Sequence, residues 1–256
     1  MNMDQQLFDE SQCEHCVCGA GLDFDFTFAF QPIADCETGE VMAYEALVRG
    51  LNGEGAGAIL SQVTPRNMYR FDQSCRVKAV KLASELGMQS RLAINFMPNA
   101  VYQAETCIRT TLAAAKAYDF DTSKLIFEFT EVENLTDTAH LISIIDAYEE
   151  MGFAIALDDY GSGYSRMNLL TDTSPELLKL DMSLIRDVHS FPKKQAVIEG
   201  VVLTMYRLGI DIIAEGIETE EEYRWCRAAG IRYVQGYLHA RPGFETLPAP
   251  WFPDER

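Results

Sequence analysis

The sequence lacks the segments that would place a protein in a membrane or on nucleic acid. No apolar run approaches the roughly 18 to 20 residues of a membrane-spanning helix, and the N-terminus lacks the basic and then apolar order of a signal peptide. Lysine and arginine never occur in runs longer than two, and the formal net charge is −18. Attraction to DNA, RNA or an anionic membrane surface is therefore disfavoured. We expect a cytoplasmic protein that binds neither nucleic acid nor membranes.

The cysteines do not suggest a disulfide framework. There are seven of them, an odd number, and no secretion signal precedes them, so thiols or metal ligands are favoured. Cys13, Cys16 and Cys18 lie close together near the N-terminus. Two interpretations stay open: an acidic tail that happens to be rich in thiols, or a zinc or iron site whose fourth ligand is His15, Cys36 or a residue of a second subunit.

Apolar runs and amphipathic stretches alternate along most of the chain. Eight apolar runs predict strands, at 27–33, 41–48, 91–96, 124–130, 153–157, 177–180, 211–214 and 233–237. Five stretches of helical period predict helices, at 65–86, 99–117, 137–151, 193–208 and 219–229. A chain of 256 residues with 48% hydrophobic composition can bury the core that such a fold needs.

This alternation favours an α/β fold, a (β/α)8 TIM-like barrel, over an open doubly wound sheet. The segment 35–40 between the first two strands is too short for a helix. These strands should therefore form an antiparallel hairpin, which makes one strand of the barrel antiparallel. We expect a cysteine-containing tail over 1–24 and one barrel domain over 25–256.

Polar side chains gather where the predicted strands end, which is where barrel enzymes carry their chemistry. They are Glu45, Asn95, Glu128 with Glu131, Asp158 with Asp159, Lys179 with Asp181, Glu215 with Glu218, and Gln235. Oxygen ligands without histidine favour magnesium or manganese, with calcium as a further possibility, over zinc. The adjacent Asp158 and Asp159 would allow one carboxylate to bridge two ions, as in two-metal phosphoryl transfer.

A series of short motifs carries a family resemblance. They are QP at 31–32, EAL at 45–47, INF at 94–96, FEFTE at 127–131, DDYGSGYS at 158–165, LKLD at 178–181, AEGIET at 214–219 and QGY at 235–237. In content and order they resemble the EAL-domain cyclic di-GMP phosphodiesterases, over about residues 24–248. Gly50 stands where the family often has tryptophan, which bears on substrate affinity and leaves the predicted metal ligands unaffected.

The resemblance implies hydrolysis of cyclic di-GMP to linear pGpG with two Mg²⁺ or Mn²⁺ ions, and inhibition by Ca²⁺. It implies that the first ion is held by Glu45, Asn95, Glu128 and Asp158, and the second by Asp158, Asp159 and Glu215, with Glu215 reaching that ion directly or through water. Lys179 would orient the attacking water and help to deprotonate it, and Gln235 would help to hold that water. Glu45 and Glu215 are thereby counted among the catalytic residues as well.

The resemblance also implies substrate contacts and an assembly. The substrate-binding residues would be Gln31, Leu47, Arg49, Asp181 and Gly236, with Arg49 offering a bidentate fork to a phosphate. Glu131 would stabilise the loop over 160–166 and couple metal binding to the formation of a homodimer, or it would only begin the loop before the next helix.

Two other functions stay open. A degenerate member of the family binds cyclic di-GMP as a sensor without hydrolysing it, and such members usually lack part of the acidic set. Nothing of that set is missing here. A different metal-dependent barrel enzyme acting on a small carboxylate would account for the acids, but it would not account for Arg49 and Gln235 at the family's positions.

Overall fold

A closed ring of eight strands forms the centre of the computed structural model, which describes residues 22–101, 103–130, 138–162 and 169–254. The strands of the ring are β1 Thr27–Asp35, β2 Val41–Arg49, β3 Arg91–Asn95, β4 Leu125–Thr130, β5 Ala154–Tyr160, β6 Leu177–Leu180, β7 Asp211–Ala214 and β8 Tyr233–Val234. A short strand, β9 Gly243–Phe244, pairs with β1 outside the ring. The predicted TIM-like barrel is confirmed.

The first strand is antiparallel to both of its neighbours in the ring. β1 pairs with β2 as the predicted hairpin, with Thr27 opposite Arg49 and Gln31 opposite Glu45. The other end of β1 pairs with β8, and the pairs from β2 to β8 are all parallel. The carboxyl ends of β2 to β8 therefore meet at one end of the barrel, which we call the mouth.

Helices surround the ring. They are α1 Ala56–Leu60, α2 Met68–Glu85, α3 Ala104–Ala117, α4 Thr138–Glu150, α5 Leu169–Asp172, α6 Met182–Ile185, α7 Pro192–Leu208 and α8 Glu220–Ala228. The five predicted helices match α2, α3, α4, α7 and α8 to within a few residues at most ends. The N-terminus of α8 is a capping box in which Thr219 Oγ1 accepts from the Glu222 amide at 3.2 Å, and a Glu222 carboxylate oxygen accepts from the Thr219 amide at 3.2 Å.

The interior of the barrel is filled by small and branched apolar side chains. This cluster consists of Ile33, Ala43, Ala93, Ile126, Ala154, Ala156, Leu177 and Ile213. A larger cluster lies between the strands and the helices and contains most of the aromatic core. Burying a large aliphatic side chain stabilises the fold by about 1.5 to 3 kcal/mol. The packed interior therefore closes the barrel beneath the mouth with apolar side chains.

Two strand ends at the mouth differ from the prediction. β5 continues to Tyr160, so Asp158 and Asp159 belong to the strand and do not follow it. β8 ends at Val234, and the chain then turns, with the His239 amide donating to the Gly236 carbonyl. In the part of the chain that the structure describes, no helix combines the length and apolar character needed to cross a membrane.

Candidate active site

Lys179 lies at the mouth among four carboxylates. Its Nζ atom is 2.8 Å from Glu215, 3.1 Å from Glu128, 3.3 Å from Asp158 and 3.4 Å from Glu45. The lysine and Glu128 are both completely buried. Carboxylates this close repel one another, and the ammonium group offsets part of that repulsion.

Two amide side chains hold Glu45 in place. Asn95 Nδ2 donates to one Glu45 oxygen at 2.9 Å, and Gln235 Nε2 donates to the other at 2.8 Å. The strand register explains this arrangement, because Asn95 is paired with Glu128 on β4, and Gln31 is paired with Glu45 across the hairpin. Gln31 Oε1 accepts a further, longer hydrogen bond from Gln235 at 3.4 Å.

Burial and charge shift the pKa values of these groups in opposite directions. Burial raises the pKa of Glu128 and of Glu215 well above the usual range, although Lys179 opposes the rise. Burial also acts to raise the pKa of Glu45, but Lys179 and the amides of Gln235 and Asn95 outweigh it and lower that pKa. Burial acts to lower the pKa of Lys179, yet the surrounding carboxylates raise it well above its ordinary value. Lys179 is therefore an ammonium group in this arrangement.

Asp158 and Asp159 face the site from the end of β5. Asp159 has φ +57°, a left-handed conformation that is uncommon outside glycine and that often occurs at functional sites. Its backbone amide donates to Asp158 Oδ1 at 2.8 Å. Burial, together with the charge of Asp158, raises the pKa of Asp159 to about 6. The twisted backbone thus brings two successive carboxylates to one place.

The carboxylates form two overlapping groups that could each hold a metal ion. One group is Glu45, Glu128 and Asp158, the other is Asp158, Asp159 and Glu215, and within each group the candidate ligand atoms lie within 4.8 Å of one another. Glu128 Oε1 is buried and has no hydrogen-bond partner. Five carboxylates face a single ammonium group, so the site suits added positive charge. The donor set fits hard divalent cations, with Asp158 shared.

A cavity of about 250 Å³ opens beside the acids. It is lined by the predicted residues Gln31, Glu45, Asp159, Asp181, Glu215, Gln235 and Gly236, and also by Met182, Gly216, Glu218 and Tyr237. No role is predicted from the sequence for Met182, and Tyr237 enters only as part of the QGY motif. Met182 follows the LKLD motif directly in the chain, which is the signal that would have identified it, and both side chains are about half exposed at the cavity.

Gly236 lies against the backbone of the loop that follows β7. A Cβ atom at this position would be 2.0 Å from the Ile217 carbonyl oxygen and 2.4 Å from the Ile217 nitrogen. The Ile217 amide donates to the Gln235 carbonyl at 3.1 Å, and the Leu238 amide donates to the Ile217 carbonyl at 3.0 Å. Only glycine lets the two loops approach this closely, and their approach brings Glu215 and Gln235 together.

The remaining predicted substrate residues line other cavities. Leu47 lines an apolar cavity of about 280 Å³ that Asn95 also touches. Arg49 lines a third cavity with Asn52 and Phe244, and its Nη1 donates to the Val48 carbonyl at 2.7 Å. Because side chains alternate along a strand, Leu47 and Arg49 share the face of β2 that carries Glu45.

Four predicted residues lie outside the described part of the chain. They are Glu131 and the cysteine group Cys13, Cys16 and Cys18. The predicted boundary between a tail over 1–24 and a barrel over 25–256 also stays a prediction. The four described cysteines, Cys36, Cys75, Cys107 and Cys226, are buried and form no disulfide bond with one another.

Comparison with known proteins extends these findings. The family model of the EAL domain matches residues 22–242. The chain is 33% identical to a cyclic di-GMP phosphodiesterase of Pseudomonas aeruginosa, over 87% of this chain and 39% of that protein. It is 27% identical to the blue light- and temperature-regulated antirepressor BluF of Escherichia coli, over 99% of this chain and 64% of that protein. The chain spans between 20% and 64% of the length of eight curated relatives.

Two solved structures are similar over nearly the whole barrel. A standalone EAL protein from Vibrio cholerae with bound cyclic di-GMP is 50% identical, with a TM-score of 0.87, over 90% of this chain and 97% of that chain. A manganese and cyclic di-GMP complex of Klebsiella pneumoniae BlrP1 is 32% identical, with a TM-score of 0.81, over 89% of this chain and 58% of that chain. The motifs, the barrel and the family match agree: this chain belongs to the EAL domain family.

Proposed function

We propose that this chain hydrolyses cyclic di-GMP to linear pGpG as a phosphodiesterase that uses two Mg²⁺ or Mn²⁺ ions. The observation that carries the proposal is the pair of acidic groups that share Asp158 beside Lys179. The relatives support the substrate, because the Pseudomonas aeruginosa protein is named a cyclic di-GMP phosphodiesterase and the Vibrio cholerae structure contains cyclic di-GMP.

Six side chains would hold the ions. We assign Glu45, Asn95, Glu128 and Asp158 to the first ion, and Asp158, Asp159 and Glu215 to the second. Bound ions of this kind lower the pKa of a water nucleophile and stabilise charge on phosphate oxygens. We expect Ca²⁺ to bind to the same side chains and to inhibit, because its coordination shell is larger and looser.

Lys179 would orient the attacking water and help in its deprotonation. Its ammonium group can donate a hydrogen bond to the water oxygen, and its positive charge stabilises the hydroxide that forms when the proton leaves. Glu215, whose carboxylate oxygen lies 2.8 Å from Lys179 Nζ, would serve as a ligand of the second ion.

Gln235 has one atom free for the water. Its Nε2 donates to Glu45, whereas its Oε1 is buried and has no hydrogen-bond partner. An unpaired buried acceptor costs about 1 to 3 kcal/mol. We infer that Oε1 accepts a hydrogen bond from the attacking water. Glu45, held by Gln235 and Asn95, contributes by fixing the positions of both amides.

The substrate would enter the cavity beside the acids. Asp181 Oδ1 accepts from the Ser183 amide at 2.9 Å at the start of α6, and we assign its second oxygen to a guanine N–H group. Gln31 and Gly236 line the same cavity. Leu47 and Arg49, which line two other cavities, would contact the part of the substrate that extends along β2. Water then adds across one phosphodiester bond, the ester P–O bond breaks, and the leaving oxygen becomes a hydroxyl group.

The proposal is tested by incubating the full chain with cyclic di-GMP and Mn²⁺ and measuring pGpG by chromatography. Asp158→Asn should lower the rate by at least about 100-fold, because it removes the shared ligand. Asp146→Asn, which changes an exposed carboxylate on α4, is the control and should keep the parent rate. Cyclic di-GMP binding in calorimetry without any pGpG from the parent would contradict the proposal and favour the sensor alternative.

Three further predictions accompany this function. The homodimer is tested by sedimentation of the full chain, with and without cyclic di-GMP. The cytoplasmic location is tested by fractionation of cells. The zinc or iron site is tested by elemental analysis of the parent and of a variant in which Cys13, Cys16 and Cys18 are all serine, since metal present in the parent alone would support it.

A further inference from the structure

A buried ion pair joins two helices behind the mouth. Asp72 and Arg76 lie one turn apart on α2, and their exposed fractions are 2% and 0%. Arg76 Nη2 is 2.5 Å from Asp72 Oδ2, and Arg76 Nη1 donates to the hydroxyl of Tyr148 on α4 at 2.7 Å. Neither partner lines the cavity beside the acids. The pair thus fixes α2 to α4 through directional contacts.

The pair also holds the backbone at the end of β3. Asp72 Oδ1 accepts from the Met97 amide at 2.9 Å, two residues beyond Asn95. The Phe96 amide donates to the Glu128 carbonyl at 2.9 Å. Asn95 itself is exposed, so two sets of contacts position it: the hydrogen bonds from its side-chain amide to Glu45 and Glu128, and these backbone contacts.

The guanidinium group is stacked among rings that flank the metal-binding strands. Its carbon is 5.5 Å from the ring centroid of Phe96 and 5.5 Å from that of Phe127. Phe96 follows Asn95, and Phe127 precedes Glu128. Because strand side chains alternate, these rings point away from the barrel while Asn95 and Glu128 point into the mouth. One cation therefore contacts the outer side of both strand ends.

Apolar side chains in place of Asp72 and Arg76 would be enough to stabilise the fold here. Burying two charges is costly, and replacing a buried ion pair with apolar side chains of similar size is often neutral or stabilising. Here Arg76 Nε is buried without a hydrogen-bond partner, which adds to the cost. What the pair provides, and apolar side chains do not, is a fixed geometry between α2, α4 and the end of β3.

We propose that the Asp72–Arg76 pair positions Asn95 for metal binding by fixing the carboxyl end of β3. This inference rests on the proposed metal site. Asp72 and Arg76 are positioning residues, since they act through the backbone of Met97 and neither belongs to the candidate metal ligands. Tyr148 completes the arrangement, because its hydroxyl oxygen accepts a hydrogen bond from Arg76 Nη1.

The test is Mn²⁺ binding by calorimetry without substrate, at a temperature well below the unfolding of every variant. Asp72→Leu/Arg76→Met should bind Mn²⁺ about 10-fold more weakly than the parent, the lower end of the effect that outer contacts of metal ligands have. Its melting temperature should match or exceed that of the parent. Tyr148→Phe keeps the ring and should weaken Mn²⁺ binding by about threefold, which preserves the test if the double variant fails to fold.

Asp35→Leu/Arg232→Met is the matched control. It removes another ion pair, with 2.6 Å between Arg232 Nη2 and Asp35 Oδ2, at the end of the barrel opposite the mouth. Its Mn²⁺ affinity should equal that of the parent. In an Asn95→Ala background, Asp72→Leu/Arg76→Met should change the Mn²⁺ affinity by less than about twofold, because effects that act through one residue are not additive.

The outcomes separate this inference from the proposed function. A parent that binds no Mn²⁺ would overturn both. Mn²⁺ binding by the parent, with equal affinity in Asp72→Leu/Arg76→Met and in Tyr148→Phe, would overturn the positioning role alone. Full additivity with Asn95→Ala would also overturn it, since the pair would then act by another route.

Discussion

The Nζ atom of Lys179 lies 2.8 Å from a Glu215 carboxylate oxygen at the mouth, where the lysine is completely buried and the glutamate is partly exposed. Lys179→Met keeps the length of the side chain but removes its charge. In EDTA the variant should lose about 3 to 5 kcal/mol of unfolding free energy, because buried carboxylates lose their counter charge. Mn²⁺ should raise its melting temperature more than it raises that of the parent. Equal melting temperatures in EDTA would show that the lysine charge does not stabilise the metal-free fold.

Asp158 belongs to both acidic groups, whereas Asp159 belongs to one, so substitutions of the two residues should affect metal binding differently. Asp159→Asn should lower the number of Mn²⁺ ions bound per chain from two to one, because Asp159 belongs to one group only. Asp158→Asn should weaken both binding events. Calorimetric stoichiometry distinguishes the two variants. If Asp158→Asn still bound one ion with the parent affinity, the carboxylate would not be a bridge.

The pKa of Asp159 predicts a pH dependence of metal binding. In the metal-free protein this pKa is raised to about 6, so the side chain is protonated and neutral below that pH. The ratio of the Mn²⁺ affinity of the parent to that of Asp159→Asn should therefore be about tenfold smaller at pH 5 than at pH 7.5, because the metal must displace a proton from Asp159 at the lower pH. The ratio should rise through pH 6 and then level off. A ratio that does not change between pH 5 and pH 7.5 would contradict the shift.

A buried histidine predicts a different pH dependence, of stability. His239 is 3% exposed, and its Nδ1 lies 2.8 Å from the Trp251 carbonyl, to which it must donate. Burial lowers the pKa of His239, although the bond to Trp251 opposes this. A folded pKa below the unfolded value means that stability is lost as the pH falls below about 6.5. The urea midpoint of the parent should fall more steeply between pH 7 and pH 5 than that of His239→Phe.

The close approach at Gly236 predicts a structural effect on the site. Gly236→Ala should cost about 1 to 3 kcal/mol of unfolding free energy, because the new methyl group would overlap the Ile217 backbone. Hydrolysis should fall as well, since the loops carrying Glu215 and Gln235 are pushed apart. Gly200→Ala in α7 is the control, because a Cβ there meets no atom within 4 Å. That control should be neutral or stabilising by about 0.5 to 1 kcal/mol.

The sequence predicts the barrel because each long element has its own periodic pattern and end signals, as the Thr219 capping box and Gly209 at the end of α7 illustrate. It does not predict the short helices α1, α5 and α6, which are too short to show a period. The left-handed backbone conformation of Asp159 is also not predicted, because aspartate adopts this conformation at only a small fraction of its positions. Arg76 is missed for a related reason: on a helix an arginine and an aspartate four residues apart usually form a solvated surface pair.

The antiparallel direction of β1 has a consequence for any protein that carries this barrel as one part. In a barrel whose strands are all parallel, the chain enters the first strand at the end opposite the mouth, far from the ligand site. Here the entering chain passes Leu22 and reaches Thr27 beside Arg49, at the mouth. A sensory module joined ahead of Leu22 would thus connect to the barrel at its mouth end. Its influence on the site would have no need to cross the packed interior.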